Sequence, residues 1–236
     1  MNALSGIRRA TPRQGPIGPI IGAMESVRIL ALRHGETEWN RDARIQGHLD
    51  IGLNARGRRQ AELAAQALEG EPLEAVYCSD LRRAADTAWP LARARGLEPV
   101  ALSTLRERAF GPFEGLTFHD IRERFPEEAE RWRNRDPHWT PAGGESLTAF
   151  RARALAAVEA LALQHMGQSI AIVAHGGTMD LLYREATRQA LDAPRTWELG
   201  NAAINRLLWS PQGFALVGWA DAGHLAALDM LDESST

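Results

Sequence analysis

Residues Val27 to Asn40 read VRILALRHGETEWN. The first half, Val27 to Leu32, is short and, apart from Arg28, apolar, the composition of a strand covered on both faces. It breaks at once into Arg33-His34-Gly35-Glu36-Thr37, where ionisable and small residues replace the apolar run. The same change recurs twice. Leu73 to Cys78 is followed by Ser79-Asp80-Leu81-Arg82-Arg83-Ala84, and Ile170 to Ala174 by His175-Gly176-Gly177-Thr178. Open α/β sheets place ligand sites at the carboxyl ends of their strands, so three such junctions predict two histidines and at least two arginines at one sheet edge.

Amphipathic stretches lie between the apolar runs, which predicts an α/β three-layer sandwich: a mixed, mostly parallel sheet with helices on both faces. Asn54 reads as an N-cap, with Ala61, Ala64, Ala65 and Leu68 on one helical face and Gly70 past the end. A second helix is expected over Asp80 to Arg95, with Asp80 as its cap, Gly96 as its stop and Pro90 as a kink or break. A third starts at Ser146 and turns Phe150, Leu155, Val158 and Leu161 inward, and a fourth follows Thr178. Val100 to Leu102 adds a short strand, and Ala203 to Trp209 and Phe214 to Trp219 flank a Ser-Pro-Gln-Gly turn as an antiparallel hairpin. The more polar stretch from Phe113 to Glu145 reads as a helical excursion.

Composition narrows the chemistry. The chain has 236 residues, 44 % hydrophobic and 24 % charged, with a formal net charge of −3. That is a folded domain without the bulk positive charge of a nucleic-acid binder. All 27 basic residues are arginines. A lysine-free chain can be neither a P-loop nucleotide binder nor a Schiff-base enzyme, whereas arginine's planar fork suits phosphate and carboxylate. The single cysteine, Cys78, reads as a small buried hydrophobe. Residues 1–23, rich in Gly, Pro and Arg, read as a flexible extension and a poor signal peptide, so the expectation is one domain over 24–236 in the cytoplasm, with no membrane span.

Taken singly, each polar junction has an ordinary reading: a surface histidine, solvated Arg82 and Arg83, a tight turn at Gly176-Gly177. Together they specify phosphate chemistry, because imidazole can attack phosphorus at neutral pH and arginines grip a dianion in bidentate fashion. Competing signatures such as G-x-S-x-G and H-E-x-x-H do not occur in the sequence.

The stretch LRHGETEWN, from Leu32 to Asn40, resembles the signature of the histidine phosphatase superfamily, the phosphoglycerate-mutase-like proteins. The likeness continues through RIQGHLDIGLNARGRRQA, SDLRRAADTA, LRERAFGPFEGLT, GGES and VAHGG, and so spans about Val27 to Leu225. It implies the phosphoglycerate-mutase-like fold and an enzyme with no metal and no cofactor. His34 becomes the nucleophile that forms phosphohistidine, Arg33, Arg83 and His175 line the phosphate pocket, and Arg83 rather than Arg82 is the pocket arginine. Glu107 takes the place of the proton donor, a carboxyl that apolar neighbours such as Phe110 and Phe113 would help keep in its acid form. Asn40 falls among the phosphate-binding groups. Thr37, Gln46, Gly47, Phe110 and Glu145 are expected near the substrate, Trp132, His138 and Trp139 as part of a lid, and His224 in a structural role.

Within that family the stretch Arg108-Ala109-Phe110-Gly111-Pro112-Phe113-Glu114-Gly115 is similar to the phosphatase form, and Gly176-Gly177 stands where mutases have Gly-Asn. The resemblance therefore implies a phosphatase acting on a small phosphorylated metabolite. A cofactor-dependent phosphoglycerate mutase and a noncatalytic phosphate-binding module stay open as alternatives, as does assembly into a homodimer. Without the likeness, Glu107 reads as a surface partner of Arg106 or Arg108.

Overall fold

Strand β1, Val27–Arg33, explains the layering of the molecule. In the computed structural model, which describes residues 25–228, its side chains alternate between two cores. Val27, Ile29 and Ala31 face α6 (Leu147–Leu163) and α7 (Gly176–Thr187), against Leu155, Val158, Leu161, Met179 and Leu182. Leu30 and Leu32 face α2 (Ala55–Ala67) and α3 (Arg82–Arg93), against Ala64, Leu68, Ala84, Ala88 and Leu91. A strand buried on both faces has no polar side to display, which is why its sequence is a continuous apolar run.

The other strands are β2 (Ala75–Ser79), β3 (Val100–Leu102), β4 (Ser169–Ala174), β5 (Ile204–Ser210) and β6 (Gly213–Asp221), in the spatial order β3-β2-β4-β1-β5-β6. The first four in sequence run parallel, and β5 and β6 form the expected hairpin, whose first strand, β5, lies antiparallel to β1. The helix after β1 packs on one face and the helix after β4 on the other. Their neighbouring carboxyl ends therefore form a topological switch point, where a crevice opens. Short α1 (Glu38–Arg41) follows β1, and the polar excursion folds as α4 (Phe118–Arg124) and α5 (Pro126–Arg133). Its own small core joins Phe113, Ile121 and Ala129 to Phe110, Trp132 and Trp139.

Several local expectations hold to the residue. The side-chain oxygen of Asn54 caps α2 by accepting the Gly57 amide at 2.7 Å, and Ser146 caps α6 by accepting that of Ala149 at 3.0 Å. Cys78 is buried, and burial pushes its thiol up to about 12, so it is a core residue and not a nucleophile.

Others need correction. Strand β2 starts at Ala75, Leu73 joining the core from the preceding loop, and α7 starts at Gly176, two residues before Thr178. Asp80 caps nothing: the cap position of α3 is Leu81, without a side-chain cap bond, and the Asp80 carboxylate takes both Arg106 Nε and Nη2 at 2.7 and 2.6 Å. A bidentate ionic partner outcompetes a cap. Pro90 does not break α3, which continues to Arg93. It falls in the last turn, so one hydrogen bond is forfeited while Ala88, Leu91 and Ala92 remain packed on the sheet.

Candidate active site

The register of β1 against β4 pairs Arg33 with Ala174, and the His34 amide donates to the Ala174 carbonyl at 2.9 Å. The next residues along the two strands, His34 and His175, are thereby side by side, their rings 5.3 Å apart edge to face. Both are buried, at 3 % and 0 % exposure. Burial is the main force holding both imidazoles well below the ordinary histidine range, and the charges of Arg33 and Arg83 act in the same direction. Both rings are neutral at physiological pH. The carbonyl oxygen of Gly35 lies 2.7 Å from His34 Nδ1. A carbonyl can only accept, so Nδ1 carries the proton and the lone pair is on Nε2.

Gly35 is required by close packing: a Cβ there would meet the backbone of Gly57 at the start of α2. Its amide donates to Thr87 Oγ1 at 2.9 Å, and Thr87 in turn donates to the Arg83 carbonyl at 2.6 Å, so α3 and the loop bearing His34 are braced together. Arg83 is fully buried, and burial lowers its guanidinium to about 10, still charged at neutral pH. Two of its nitrogens hold the Leu49 and Gly47 carbonyls at 2.8 and 2.7 Å, while Nε has no partner among the described residues. Arg33 is held by the Leu199 carbonyl, and its Nε is likewise free, as are both ring nitrogens of His175. Buried donors without partners are costly. The two Nε–H groups and the single N–H of a neutral His175 are three such donors near the ends of β1 and β4, and beside the amino end of α7 they form a ready-made oxyanion receptor.

Glu107 lines the same cavity, of about 420 Å³, as Arg33, His34, Asn40, Gln46, Gly47 and Arg83. Its carboxylate is steered by backbone donors, Gly177 N to Oε2 at 2.9 Å and Arg108 N to Oε1 at 2.8 Å. A Cβ on residue 177 would overlap that carboxylate and the Phe150 ring, which accounts for the second glycine of His175-Gly176-Gly177. The Glu107 carbonyl is fixed by His48 Nε2 at 2.8 Å and Arg153 Nη2 at 3.1 Å. The surface salt bridge with Arg106 or Arg108 does not form, because Arg106 is committed to Asp80 and only the main chain of Arg108 reaches the carboxylate.

Phe110 lines the cavity and stacks on Trp132, ring centroids 4.9 Å apart, whereas Phe113 lies beneath them in the core of the excursion. Two residues expected near the substrate lie off the cavity. Thr37 is fully buried and caps α1, its hydroxyl accepting the Asn40 amide at 3.1 Å. Glu145 is clamped by Arg153 at 2.9 and 2.6 Å and accepts the Ala109 amide. Of the expected lid residues only Trp132 borders the cavity; Trp139 packs on Phe113, and exposed His138 borders a separate surface groove. His224 is half-buried beside the Ala202 backbone, outside the cavity.

Asn201, absent from the sequence reading, donates to the His34 carbonyl at 2.9 Å and to Asn40 Oδ1 at 3.3 Å. Nothing in Gly200-Asn201 before β5 distinguishes it from an ordinary turn. The cavity-lining residues Arg44, Arg135, Asp180 and Arg195 were also missed. No group of three metal-ligating side chains gathers among the described residues, and none of their helices is long and apolar enough to cross a membrane.

Known proteins resemble this chain in sequence and in fold. The family model of the histidine phosphatase superfamily (branch 1) matches residues 29–222. Phosphoglycerate mutase-like protein 4 of Arabidopsis thaliana is 36 % identical over 84 % of this chain and 86 % of its own length. The metal-independent phosphoserine phosphatase of the same plant is 34 % identical over 88 % of this chain and 87 % of its own. Among solved structures, mycobacterial glucosyl-3-phosphoglycerate phosphatase in complex with VO3 superposes with a TM-score of 0.74 at 32 % identity, over 84 % of this chain and all of that one (100 %).

Proposed function

We propose, for a chain that belongs to the histidine phosphatase superfamily (branch 1) and is a phosphoric monoester hydrolase, that His34 Nε2 is its nucleophile and Glu107 its proton carrier. The carrying observation is the pair of neutral, buried imidazoles at the ends of β1 and β4, one with its tautomer set by Gly35 and the other with both nitrogens free beside two arginines. His34 attacks phosphorus as the bond to the leaving oxygen breaks. Arg33, Arg83 and His175 take the charge on the equatorial oxygens. Glu107, entering as the acid, gives its proton to the leaving alcohol. As carboxylate it then takes a proton from the water that splits the phosphorus–Nε2 bond, and phosphate departs.

The charge compensation in this scheme comes from Arg33, Arg83 and His175, so the scheme calls for no metal. Water rather than a second alcohol is the acceptor, which makes the enzyme a phosphatase and not a mutase. Its substrate is a small phosphorylated metabolite, fitting a cavity of about 420 Å³, and its setting the cytoplasm.

The test is to mix enzyme and phosphomonoester, quench in alkali and locate the labelled residue. Alkali-stable, acid-labile phosphate on His34, turnover indifferent to EDTA, and competition by vanadate are expected. Label on another residue, or a metal-reversible loss of activity, would overturn the scheme. Isomerisation of 3-phosphoglycerate with little phosphate release would make it a mutase.

A further inference from the structure

Arg83 stands on α3 and Glu107 on the stretch that follows β3, and one loop, Gln46 to Asp50, touches both. The carbonyls of Gly47 and Leu49 accept from Arg83 Nη2 and Nη1 at 2.7 and 2.8 Å. Between them stands His48, whose Nε2 lies 2.8 Å from the Glu107 carbonyl oxygen. A carbonyl only accepts, so Nε2 carries a proton and donates it. The His48 amide donates to Glu114 Oε1 at 3.1 Å, and the same oxygen accepts the Phe110 amide at 3.0 Å. Gly47 has φ 52°, and a Cβ there would overlap the Glu114 side chain, so the loop lies directly on the segment that carries Glu107 onward. His48 is half-buried and, unlike Gln46 and Gly47, does not line the cavity.

What the His48 ring holds is a peptide group. The bond between Glu107 and Arg108 is planar, with its C=O and N–H directed to opposite sides. The C=O is taken by His48 Nε2 and by Arg153 Nη2 at 3.1 Å, and the N–H of the same plane, that of Arg108, donates to Glu107 Oε1 at 2.8 Å. Turning the plane would break these bonds together. The remaining donor to that carboxylate among the described residues is the Gly177 amide on Oε2 at 2.9 Å. Arg153 is a general brace, since it also holds the Thr104 and Arg106 carbonyls and both oxygens of Glu145. The His48 ring makes no other hydrogen bond among the described residues.

We propose that His48 is a positioning residue of this enzyme. By donating to the Glu107 carbonyl it fixes the Glu107–Arg108 peptide so that the Arg108 amide meets the Glu107 carboxylate. Because its two neighbours hold Arg83, it also ties that carboxyl to the arginine that grips the phosphate. Proton transfer to a leaving oxygen requires hydrogen-bond reach, and a carboxyl free to turn with its peptide is seldom within it. This inference rests on the reading of Glu107 as proton carrier, and observing the Arg108 amide itself keeps the two apart.

Histidine variants separate positioning from mere packing, because a glutamine side chain puts an amide nitrogen where Nε2 stands and an asparagine puts one where Nδ1 stands. In His48→Ala and His48→Asn, kcat for alkyl phosphates should fall by about 10- to 100-fold, with KM and the affinity for inorganic phosphate nearly unchanged, and kcat for activated aryl phosphates should fall much less. His48→Gln should restore most of the loss. Adding His48→Ala to Glu107→Gln should lower kcat little further, since both act on one step. Hydrogen exchange followed by NMR should show the Arg108 amide exchanging at least about tenfold faster in His48→Ala and near its original rate in His48→Gln, with the Ile29 amide of β1 unchanged in both. If Glu107→Gln is selective for poor leaving groups, then an equal loss for alkyl and aryl esters in His48→Ala, full additivity of the two substitutions, or a His48→Gln chain as slow as His48→Ala would overturn the proposal. An Arg108 amide indifferent to His48→Ala would overturn it in any case. If Glu107→Gln shows no such selectivity while the Arg108 amide responds as stated, Glu107 loses its role as proton carrier and the positioning of the peptide by His48 stands.

Discussion

The two ends of the cavity are built differently. At the inner end, His34 and Arg83, with His175 against the His34 ring, are almost completely buried, set by the register of two central strands and by α3 packed on the sheet. At the outer end, Trp132, Arg135 and Arg195 come from α5, the turn that follows it, and the long connection between α7 and β5, and they are half-buried or exposed. In the proposed scheme, chemistry that needs sub-ångström placement is mounted on the rigid part, and the rest of the cavity wall on segments that lie outside the sheet. The contrast predicts that substitutions at the inner end destroy turnover for every substrate, whereas those at the outer end redistribute it among substrates.

The largest effect belongs to the inner end. His34→Ala should lower kcat by about 10⁴-fold or more with the fold retained, since a nucleophile and no core contact is removed. Circular dichroism and a phosphate-release assay check both halves of that statement, and normal turnover would erase the distinction between the two ends.

Glu107→Gln comes next. For esters of poor leaving alcohols it should cost roughly 10²- to 10⁴-fold, and for activated aryl phosphates much less, because only the former need the proton. An equal loss across a leaving-group series would remove Glu107 from its role.

Gly177→Ala sharpens the comparison from the second layer of the same end. The added Cβ would push the Glu107 carboxylate off its two amide donors, so kcat should fall by roughly 10- to 100-fold while KM changes little. Unchanged kcat would mean that the placement of Glu107 is loose.

Smaller still is the pH dependence of stability. His34 and His175 are held below the usual imidazole value of 6.5, so they take up protons in the unfolded chain before they do so in the folded one. Stability should therefore be full above about pH 6.5 and decline as the pH falls toward the lowered folded values, by about 1.4 kcal/mol per imidazole for each pH unit. Denaturant melts between pH 7.5 and 5.5 measure this slope, and His34→Ala should flatten it. The smallest effect is expected from a chain beginning at Met24. Each residue named at either end of the cavity lies beyond Val27, so such a chain should fold and retain turnover, and loss of activity would give residues 1–23 a function.

The two ends also differed in how far they could be read from sequence. The inner end announced itself: apolar runs ending in Arg33-His34 and His175-Gly176 need only the rule that parallel strands deliver ligands at their carboxyl ends. The choice of Arg83 over Arg82 and the role of Glu107 came from the family likeness, and in the structure Arg83 is buried and lines the same cavity as Glu107. Asp80 shows where local reasoning fails, since its position suggested a helix cap and a guanidinium 26 residues away in sequence claimed it. Thr37 and Glu145 failed in the same way, each consumed by a neighbour before it could reach a ligand.

By itself, the sequence determined what depends on local pattern and residue chemistry: which runs are buried on both faces, where Asn54 and Ser146 start helices, and that a lysine-free chain must grip its anion with arginine and imidazole. Only the tertiary structure decided which of those arginines are already paired and which one is not. Arg44, Arg108, Arg135 and Arg195 are alike in sequence, and three of them meet carbonyls or a carboxylate brought in by other elements. A side chain's freedom to bind a ligand is settled by what the packing of distant segments places within about 3 Å of it, and that separation is not written in any single stretch of chain.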